Sequence, residues 1–597
     1  MKKYWKDLVI IASVFLLYGN TINNGFVLDD FSAIVENRFV QNGTDGIADI
    51  FTSHYRKGYW NSPGNLYRPL VLASFALEYE LSDGDPLIHH VLNLIVYAFI
   101  GLLLFHLLSN WFNEENSYLP LIITLLFIFH PIHTEVVANI KSRDELFSFL
   151  FVLVTLFSFS KYIKTNHFRF AFLMGCSFLL ALLSKESSVV FIAVIPLIGY
   201  FFHETSKKKI IKTTVLLSVP LLIFLILRNN ALTNQIETVP INLPFLSENA
   251  ISEILKAGYH LLLYIYKLIA PFSLSSQYPE FYNGPNSIVL IIGAIGLMVH
   301  IVLLYFGIKW TLQKKVMGFI FLFYLITTVL HANLLLVIGT HFGERLLFTP
   351  SVAFCILLGI GLVKVSKNKT QHIVLGTVGI ILSLYTVTVI VRNTDWKSNS
   401  SLYAADVAKQ PQSAMLNYWH SLELTNSDYL VSVDVNQRNK SLNEALFYLK
   451  KAIDLKPNFG NAEAQIGLVY YKLNKPNEAL PYFKKAIAQG RGSVQTLNNI
   501  AAIYFGQNNF KEARLYYEQA VTSDPYYKDA WGNLGVTYAQ LNDLPNAERA
   551  FLKAIELSPN NGQFYFYMGM TLNEIGRTTE AIPYFEKAFE LDPSLKK

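Results

Sequence analysis

The chain has 597 residues, of which 52% are hydrophobic and only 15% are charged. Soluble domains average about 25% charged residues, so this composition argues against an ordinary soluble protein. The formal net charge of +6 is small for the length and indicates no nucleic-acid binding. Both cysteines, Cys176 and Cys355, lie in apolar runs, which excludes a disulfide framework and a CxxC metal site.

The first element is an apolar run that follows Lys2, Lys3 and Lys6. No small-residue cleavage site follows Tyr18 and Gly19, so we expect a retained membrane helix and not a signal peptide. Apolar stretches of about 20 residues, enough to span a bilayer, recur up to residue 393. The predicted crossings are 7–22, 87–108, 118–137, 145–163, 168–184, 187–203, 210–228, 287–308, 316–338, 346–363 and 371–391.

The apolar segment 253–272 is interrupted by Lys256, His260 and Lys267, and we predict that it is interfacial or re-entrant. Basic loops stay cytoplasmic, and all basic clusters fall on one side only if this segment does not cross. These clusters are Lys2/Lys3/Lys6, Lys161/Lys164/Arg169, Lys207/Lys208/Lys209/Lys212, Lys309/Lys314/Lys315 and Lys364/Lys367/Lys369. Eleven crossings then leave the N-terminus cytoplasmic and everything after Arg392 outside.

The predicted organisation is therefore a multispanning domain, a linker and a repeat domain. The membrane domain covers 1–393, with external loops at 23–86, 130–144 and 229–286, and the linker covers 394–410. From 411 to 597 small residues and prolines recur every 34 residues, as at Gly467, Ala501, Gly535 and Gly569. This period is typical of tetratricopeptide helix pairs, and about five repeats are predicted to stack into an α-solenoid with a concave binding surface.

The first external loop carries adjacent carboxylates, Asp29 and Asp30, directly after the first helix. Their apolar neighbours should raise a carboxyl pKa and favour a general base, although a helix cap or a solvated loop is an alternative. Arg68 in the same loop suits phosphate recognition, or it serves as an interfacial anchor. His89 and His90 follow at the mouth of the second helix, where headgroup-level polar residues are also common.

Three further polar clusters are predicted on the same side of the membrane. Ionisable residues at a membrane boundary are costly, so their density favours a functional site, here a wall around a lipid phosphate. The residues are His130, His133, Glu135, Lys141 and Arg143, then Lys185, and finally His341, Glu344 and Arg345.

Several details of these clusters are specific enough to test. His130, His133 and Glu135 could bind a metal, but their spacing is not that of HExxH, so no metal site is favoured. Lys185 and Glu186 are expected to form an ion pair. His341 and Arg345 share a face if their segment is helical. Arg345 requires an anion, which a lipid phosphate or Glu344 would provide.

The inner helices of the repeats carry candidate acceptor-binding residues. Asparagine side chains could hydrogen-bond an extended peptide, and aromatic rings could add apolar contact, unless the asparagines cap or fill turns of the superhelix. These candidates are Asn498, Asn499, Asn533, Tyr471, Phe505 and Phe566.

The motifs FVLDD, YRPL, HPIHTEVVANIKSRDEL, GERLLFTPS and RNTDW, together with the trailing repeats, occur in one order along the chain. In this they resemble the transmembrane and tetratricopeptide-repeat-containing O-mannosyltransferases, a family of GT-C glycosyltransferases. The resemblance implies an all-α fold, a polyprenyl-phosphate sugar donor, and Asp29 as catalytic base with Asp30 beside it. Few repeats, short loops and a Lys/Asn/Ile-rich composition favour a bacterial member acting at the periplasmic face of the inner membrane.

The expected function is transfer of a single sugar, mannose by the resemblance, from the lipid-linked donor to Ser/Thr of exported proteins (EC 2.4.1.-). The reaction would invert the sugar, the repeats would recruit the acceptor polypeptide, and a divalent metal is not favoured. One alternative is an oligosaccharide transferase of the O-antigen-ligase type, although the late loop 229–286 lacks the arginine such enzymes use. The other is a non-enzymatic scaffold, which has no need for four charged external clusters.

Overall fold

The computed structural model describes residues 4–59, 64–112, 118–233, 249–281, 284–334, 340–366 and 371–596. Throughout these residues the chain is helical and contains no β-strand, which confirms the predicted all-α class. It divides into two compact units, Met1–Pro411 and Gln412–Lys597. Each unit is described by itself below.

The first unit contains long apolar helices, shorter helices at their ends and a connecting helix at its C-terminus. The α-helices are Trp5–Tyr18, Arg38–Gln41, Ile47–Thr52, Pro69–Ser82, Pro86–Trp111, Leu119–Phe129, Thr134–Ala138, Arg143–Thr165, Phe168–Ser184, Phe191–Phe202, Lys207–Val215, Ser218–Leu232, Ala250–Ile269, Ser287–Leu312, Val316–Thr328, Ser351–Ser366, Gln371–Asp395 and Asn399–Lys409. The last of these lies in the segment 394–410, which was expected to be a linker; its Ser398 caps the helix and its Leu402 is fully buried.

Five helices in the described residues are long and apolar enough to cross a membrane, and they identify an integral membrane protein. They are Pro86–Trp111, Ile140–Thr165, Lys207–Leu232, Ser287–Leu312 and His372–Asp395. A sixth span arises if Leu119–Phe129 and Pro131–Ala138, which meet at 51°, are counted together. Four other predicted crossings correspond to apolar helices of 10–17 residues, so the predicted total of eleven stays a prediction.

The helix Ala250–Ile269 covers the segment predicted to be interfacial or re-entrant, and it does not meet the length and composition of a span. It packs closely on Ser287–Leu312 through three glycines. A Cβ at Gly258 would lie 2.3 Å from the Gly293 carbonyl oxygen, and one at Gly296 would lie 2.0 Å from the Gly258 oxygen. Small residues allow this close approach, as in other membrane helix pairs.

The loop that follows the first helix, which is predicted to be external, folds around a small core of its own. This core is formed by Ala33, Ile34, Val40, Ile50, Tyr55, Val71, Leu72, Phe75, Ala76 and Ile140. Because Ile140 comes from the segment predicted to form the second external loop, the core joins the two loops. The acidic pair after the first helix is thereby held against the segment that carries Lys141.

The second unit consists of five successive antiparallel helix pairs, in agreement with the predicted repeats. Its helices are Ala414–Leu424, Ser427–Ser432, Val435–Leu455, Gly460–Lys472, Pro476–Ala488, Val494–Gly506, Phe510–Ser523, Lys528–Gln540, Leu544–Leu557, Gly562–Glu574 and Thr578–Leu591. The turn within a pair repeats a left-handed residue at Asn474, Asn508, Asn542 and Gly576. Asparagine and glycine tolerate this conformation, which explains why they recur there.

Candidate active site

The two aspartates of the first loop occupy different environments. Asp30 is fully buried, and its carboxylate accepts backbone N–H groups from Val27 at 2.9 Å and from Lys141 at 2.7 Å. Burial raises the pKa of Asp30 to about 7, although these two hydrogen bonds oppose the shift. Asp30 therefore joins the two loops, and its oxygens bind backbone N–H groups.

Asp29 has its side chain 42% exposed and forms an ion pair with Arg56 at 3.3 Å. Partial burial raises its pKa, but the positive charges of Lys141, Arg345 and Arg56 outweigh burial and lower the pKa below its usual value. Asp29 is thus an ionised, accessible carboxylate surrounded by cations.

Asp29 belongs to a set of eight charged side chains that we name the charged network. Its members are Asp29, Arg56, Arg68, Glu135, Lys141, Asp144, Glu186 and Arg345. The ion pairs inside it join segments that are far apart in sequence. The network therefore forms only when these separate segments fold together.

Arg68 is the most completely paired cation of the charged network. Its guanidinium donates to both oxygens of Glu186 at 2.9 and 3.0 Å and to Asp144 at 2.5 Å. Asp144 also receives the Lys141 ammonium at 3.3 Å. Arg68 therefore has most of its hydrogen-bonding capacity filled by carboxylates.

Arg345 approaches the charged network from the late loop and binds Glu135. Its guanidinium lies 2.5 Å from one Glu135 oxygen, and its backbone N–H donates to the other at 3.0 Å. The Arg345 side chain is still 22% exposed. Of the predicted phosphate-binding residues, Arg68, Glu135, Lys141 and Arg345 are thus brought together with Asp29.

Arg143, His89 and His90 lie outside the charged network. Arg143 is fully buried, pairs with Glu78, and donates to the Asn93 side chain at 2.7 Å and to the His89 carbonyl at 2.9 Å. His89 pairs with the same Glu78, and His90 is buried beside it. Arg143 and His89 therefore link neighbouring helices.

His130 and His133 are also buried, and hydrogen bonds occupy their ring nitrogens. His133 contacts the Tyr97 hydroxyl and the Ser351 hydroxyl, both at 2.9 Å. His130 lies 3.0 Å from the Leu268 carbonyl oxygen, and its other ring nitrogen accepts from Ile132 at 3.3 Å. No three His, Cys, Asp or Glu side chains of the described residues are grouped to hold a metal ion.

The expected ion pair between Lys185 and Glu186 is wrong. Lys185 pairs instead with Glu145, while Glu186 pairs with Arg68. The helix ends at Ser184, and Lys185 has extended backbone angles of −158° and 125°. Consecutive side chains point to opposite sides of an extended chain, so the two residues reach different partners.

His341 and Arg345 do not share a helical face, because a short 3-10 helix begins only at Glu344. His341 is exposed, whereas Glu344 is buried and accepts from the Ser275 N–H at 2.6 Å and from the Tyr278 hydroxyl. Burial raises the pKa of Glu344 to about 7. Glu344 therefore does not serve as the partner of Arg345.

The predicted acceptor residues lie on the first helices of the repeat pairs. Asn533 donates to the Asn498 side chain at 3.2 Å, which links adjacent repeats. Phe505 packs on Phe510 with ring centroids 5.1 Å apart, and Phe566 packs on Phe585 at 5.7 Å. The remaining two are Tyr471, which is 38% exposed, and Asn499, which is partly buried.

Arg56, Asp144 and Glu186 belong to the charged network but were not among the predicted site residues. Asp144 and Glu186 stand next to predicted residues, so their sequence position was a usable signal. Arg56 lies in the same loop as Asp29, 27 residues further on, with no motif around it. Only the folding of that loop reveals its pairing.

Fold and site together define a class: a helical membrane protein with a charged site at its loops and a C-terminal repeat solenoid. Models of the tetratricopeptide repeat match residues 458–525, 498–562 and 550–582, which confirms the repeat type. A solved tetratricopeptide protein, YrrB, is 19% identical over 32% of this chain and 92% of its own, with a TM-score of 0.28.

The curated relatives are named protein O-mannosyl-transferases, which confirms the resemblance seen in the motifs. Protein O-mannosyl-transferase F38B6.6 of Caenorhabditis elegans is 26% identical over 69% of this chain and 59% of its own length. TMTC3 of Mus musculus is 25% identical over 79% and 53%, and TMTC4 of Homo sapiens is 24% identical over 70% and 63%. The chain thus spans little more than half the length of these relatives.

Proposed function

We propose that the protein is a GT-C glycosyltransferase that moves one mannose from a polyprenyl-phosphate donor to Ser or Thr hydroxyls of exported proteins. The observation that carries this proposal is the contrast between the two aspartates. Asp29 is ionised and accessible among cations, whereas Asp30 is buried and bound to backbone. The names of the relatives support the same reaction and the choice of sugar.

Asp29 acts as the general base in this proposal. The acceptor oxygen attacks the anomeric carbon while the bond from that carbon to the phosphate oxygen breaks. The hydroxyl proton moves to the Asp29 carboxylate, and polyprenyl phosphate leaves. Attack from the opposite face inverts the sugar, from a β-linked donor to an α-linked product. A positioned base contributes about 10²–10⁴ in rate.

The cations around Asp29 stabilise the leaving phosphate. Arg345 and Arg56 are the better candidates to bind the leaving phosphate, because each side chain keeps exposed surface and lies near Asp29. Arg68 is committed to Glu186 and Asp144, so its role is to hold Asp144 near Lys141. Fixed cations aimed at developing negative charge usually make the largest contribution to such catalysis.

The repeats recruit the acceptor polypeptide in this proposal. Capture by a linked module raises the local concentration of hydroxyl groups near the site. The basic loops favour a cytoplasmic N-terminus, so the site and the repeats lie on the periplasmic side of a bacterial inner membrane. The lipid-linked donor is a substrate in this proposal, and a divalent metal is not favoured.

Replacement of Asp29 by Asn tests the proposal directly. A strain that lacks this gene is complemented with the wild type, with Asp29→Asn or with Asp49→Asn, and hexose on Ser/Thr of envelope proteins is measured by mass spectrometry. We expect Asp29→Asn to lower occupancy by about 100-fold or more, because the amide cannot accept the proton.

Asp49→Asn is the matched control, since Asp49 is an exposed carboxylate in the same loop. It should behave as the wild type. Full occupancy with Asp29→Asn, at equal protein levels in the membrane, would exclude Asp29 as the base. Absence of any gene-dependent hexose would contradict the transfer reaction itself.

A further inference from the structure

The segment after the last long helix of the first unit, residues 396–409, accepts hydrogen bonds from backbone N–H groups of the loop that follows the first helix. We name it the connector. The Gly25 N–H donates to the Lys397 carbonyl at 3.0 Å, and the Leu28 N–H donates to the Asn399 side-chain oxygen at 2.8 Å. Residues 28 and 399 are 371 positions apart in sequence. The connector therefore holds the turn that precedes Asp29.

Leu28 has an unusual backbone conformation, with φ at +52°. A branched side chain rarely occupies the left-handed region, and such residues persist only where their surroundings hold them there. Two restraints act here. Asn399 holds the Leu28 N–H, and the neighbouring Val27 is fully buried against Trp396 and Leu402 of the connector.

The connector is itself firmly anchored. Ser398 and Ser401 form a reciprocal cap at the start of the helix Asn399–Lys409. Asp406 of that helix is buried and binds Arg392 at 2.5 Å. Asn399 thus extends from a fixed helix terminus and presents its oxygen to the Leu28 N–H in a fixed direction.

We infer that Asn399 is a positioning residue for Asp29: it holds Leu28 in the left-handed conformation and so sets the direction of the Asp29 carboxylate. The inference rests on the proposed role of Asp29 as base. It assigns to the start of the connector a part in the reaction, although Asn399 need not touch the substrate. Small displacements of a reacting group lower rates strongly, by up to about 100-fold for 1 Å.

Three substitutions separate this role from general stability. Asn399→Leu removes the acceptor at similar size, Asn399→Asp keeps an acceptor oxygen, and Ser400→Leu places the same bulk at an exposed neighbouring site. The full chain in detergent is assayed with a short-chain polyprenyl-phosphate mannose as donor. The acceptor is an unmodified synthetic peptide that spans a Ser or Thr site at which the envelope mass spectrometry finds hexose.

We expect Asn399→Leu to lower kcat about 10- to 100-fold with donor KM within about threefold. Asn399→Asp and Ser400→Leu should stay within about threefold of the wild type. In an Asp29→Asn background, Asn399→Leu should cause no further loss, because it acts through Asp29. Hydrogen exchange of the peptide around Leu28 should accelerate only in Asn399→Leu.

Wild-type kcat in Asn399→Leu, while Asp29→Asn shows its expected large loss with measurable residual activity, would overturn the positioning role and leave the proposed function standing. An equal loss in Asn399→Asp, or an added loss in the Asp29→Asn background, would likewise overturn it. Wild-type activity in Asp29→Asn would instead overturn the base and, with it, the inference. The exchange measurement needs no activity, and unchanged exchange at Leu28 also contradicts the inference.

Discussion

At the scale of single residues, adjacent charged residues have different roles in the fold. Asp29 is accessible and Asp30 is buried, and Lys185 and Glu186 bind partners in different segments. The difference arises from burial and hydrogen bonds, which depend on the fold and not on residue type. A cluster of charged residues in the sequence therefore contains both accessible groups and buried groups that hold the fold together.

Glu344 offers a test of this residue-scale account through pH. Burial raises its pKa from 4.5 to about 7, so the folded state binds the proton more tightly than the unfolded state. Stability from this group is present below pH 4.5 and is lost as pH rises toward 7. Glu344→Gln has no carboxyl group to titrate, so it should not lose stability in this way. We therefore expect the unfolding temperature of Glu344→Gln, relative to that of the wild type, to rise between pH 5 and pH 8.

The measurement is thermal unfolding of the purified chain in detergent at several pH values. The Gln amide lowers stability by a pH-independent amount if its N–H groups lack acceptors. The test is therefore how the difference in unfolding temperature between variant and wild type changes with pH, and not its size at one pH. A difference between variant and wild type that stays constant from pH 5 to pH 8 would contradict the raised pKa.

At the scale of elements, helix pairs are held at a spacing that small residues set. A Cβ at Gly467 would lie 2.6 Å from the Phe483 ring, and one at Gly535 would lie 2.6 Å from the Phe551 ring. The same contact recurs 34 residues later between Gly569 and the Phe585 ring, so the recurrence of a small residue and an aromatic ring is one contact repeated along the solenoid. Local pattern and tertiary packing agree here because each repeat contacts only its neighbours.

Gly535→Leu should separate the two helices of its pair, because the side chain has no space beside Phe551. We expect a loss of about 1–3 kcal/mol in the unfolding free energy of the repeat unit. Gly506→Leu is the control, since a Cβ there meets nothing within 4 Å. The stability of the repeat unit in both variants is measured from the urea dependence of proteolysis within residues 412–597 of the full chain. Equal urea midpoints for Gly535→Leu and Gly506→Leu would contradict the proposed packing.

At the scale of the whole molecule, the helix Arg143–Thr165 separates two kinds of charge. Its 23 residues span about 34 Å, close to the roughly 30 Å of a bilayer core. The charged network lies at its N-terminal end, whereas Lys161 and Lys164 lie at its other end. The basic loop clusters that include Lys161 and Lys164 are expected to be cytoplasmic, so the network at the other end of the helix is expected on the outer side.

Cysteine labelling tests this topology. In a chain whose own Cys176 and Cys355 are replaced by Ala, single cysteines are introduced at exposed positions, as Asp49→Cys in the first loop, Lys208→Cys in a basic cluster and Thr522→Cys in the repeats. In spheroplasts an impermeant maleimide should label positions 49 and 522, and position 208 only after permeabilisation. Label at 522 that requires permeabilisation would place the repeats away from Asp29 and remove their proposed role.

The sequence by itself determined the features that depend on short-range periodicity. Apolar length identifies membrane helices, and a 34-residue period identifies helix pairs, because both patterns are set by neighbours along the chain. It also brought Asp29, Arg68, Lys141 and Arg345 into one candidate site, through charges at helix ends.

Only the tertiary structure decided which of those groups meet. Arg345 binds Glu135 across 210 residues, and Asn399 holds Leu28 across 371. It also showed that His130 and His133 are buried and that hydrogen bonds within the protein occupy their ring nitrogens. The physical reason is that ion pairing and burial depend on distances in space, and no local pattern records which distant segments will lie together.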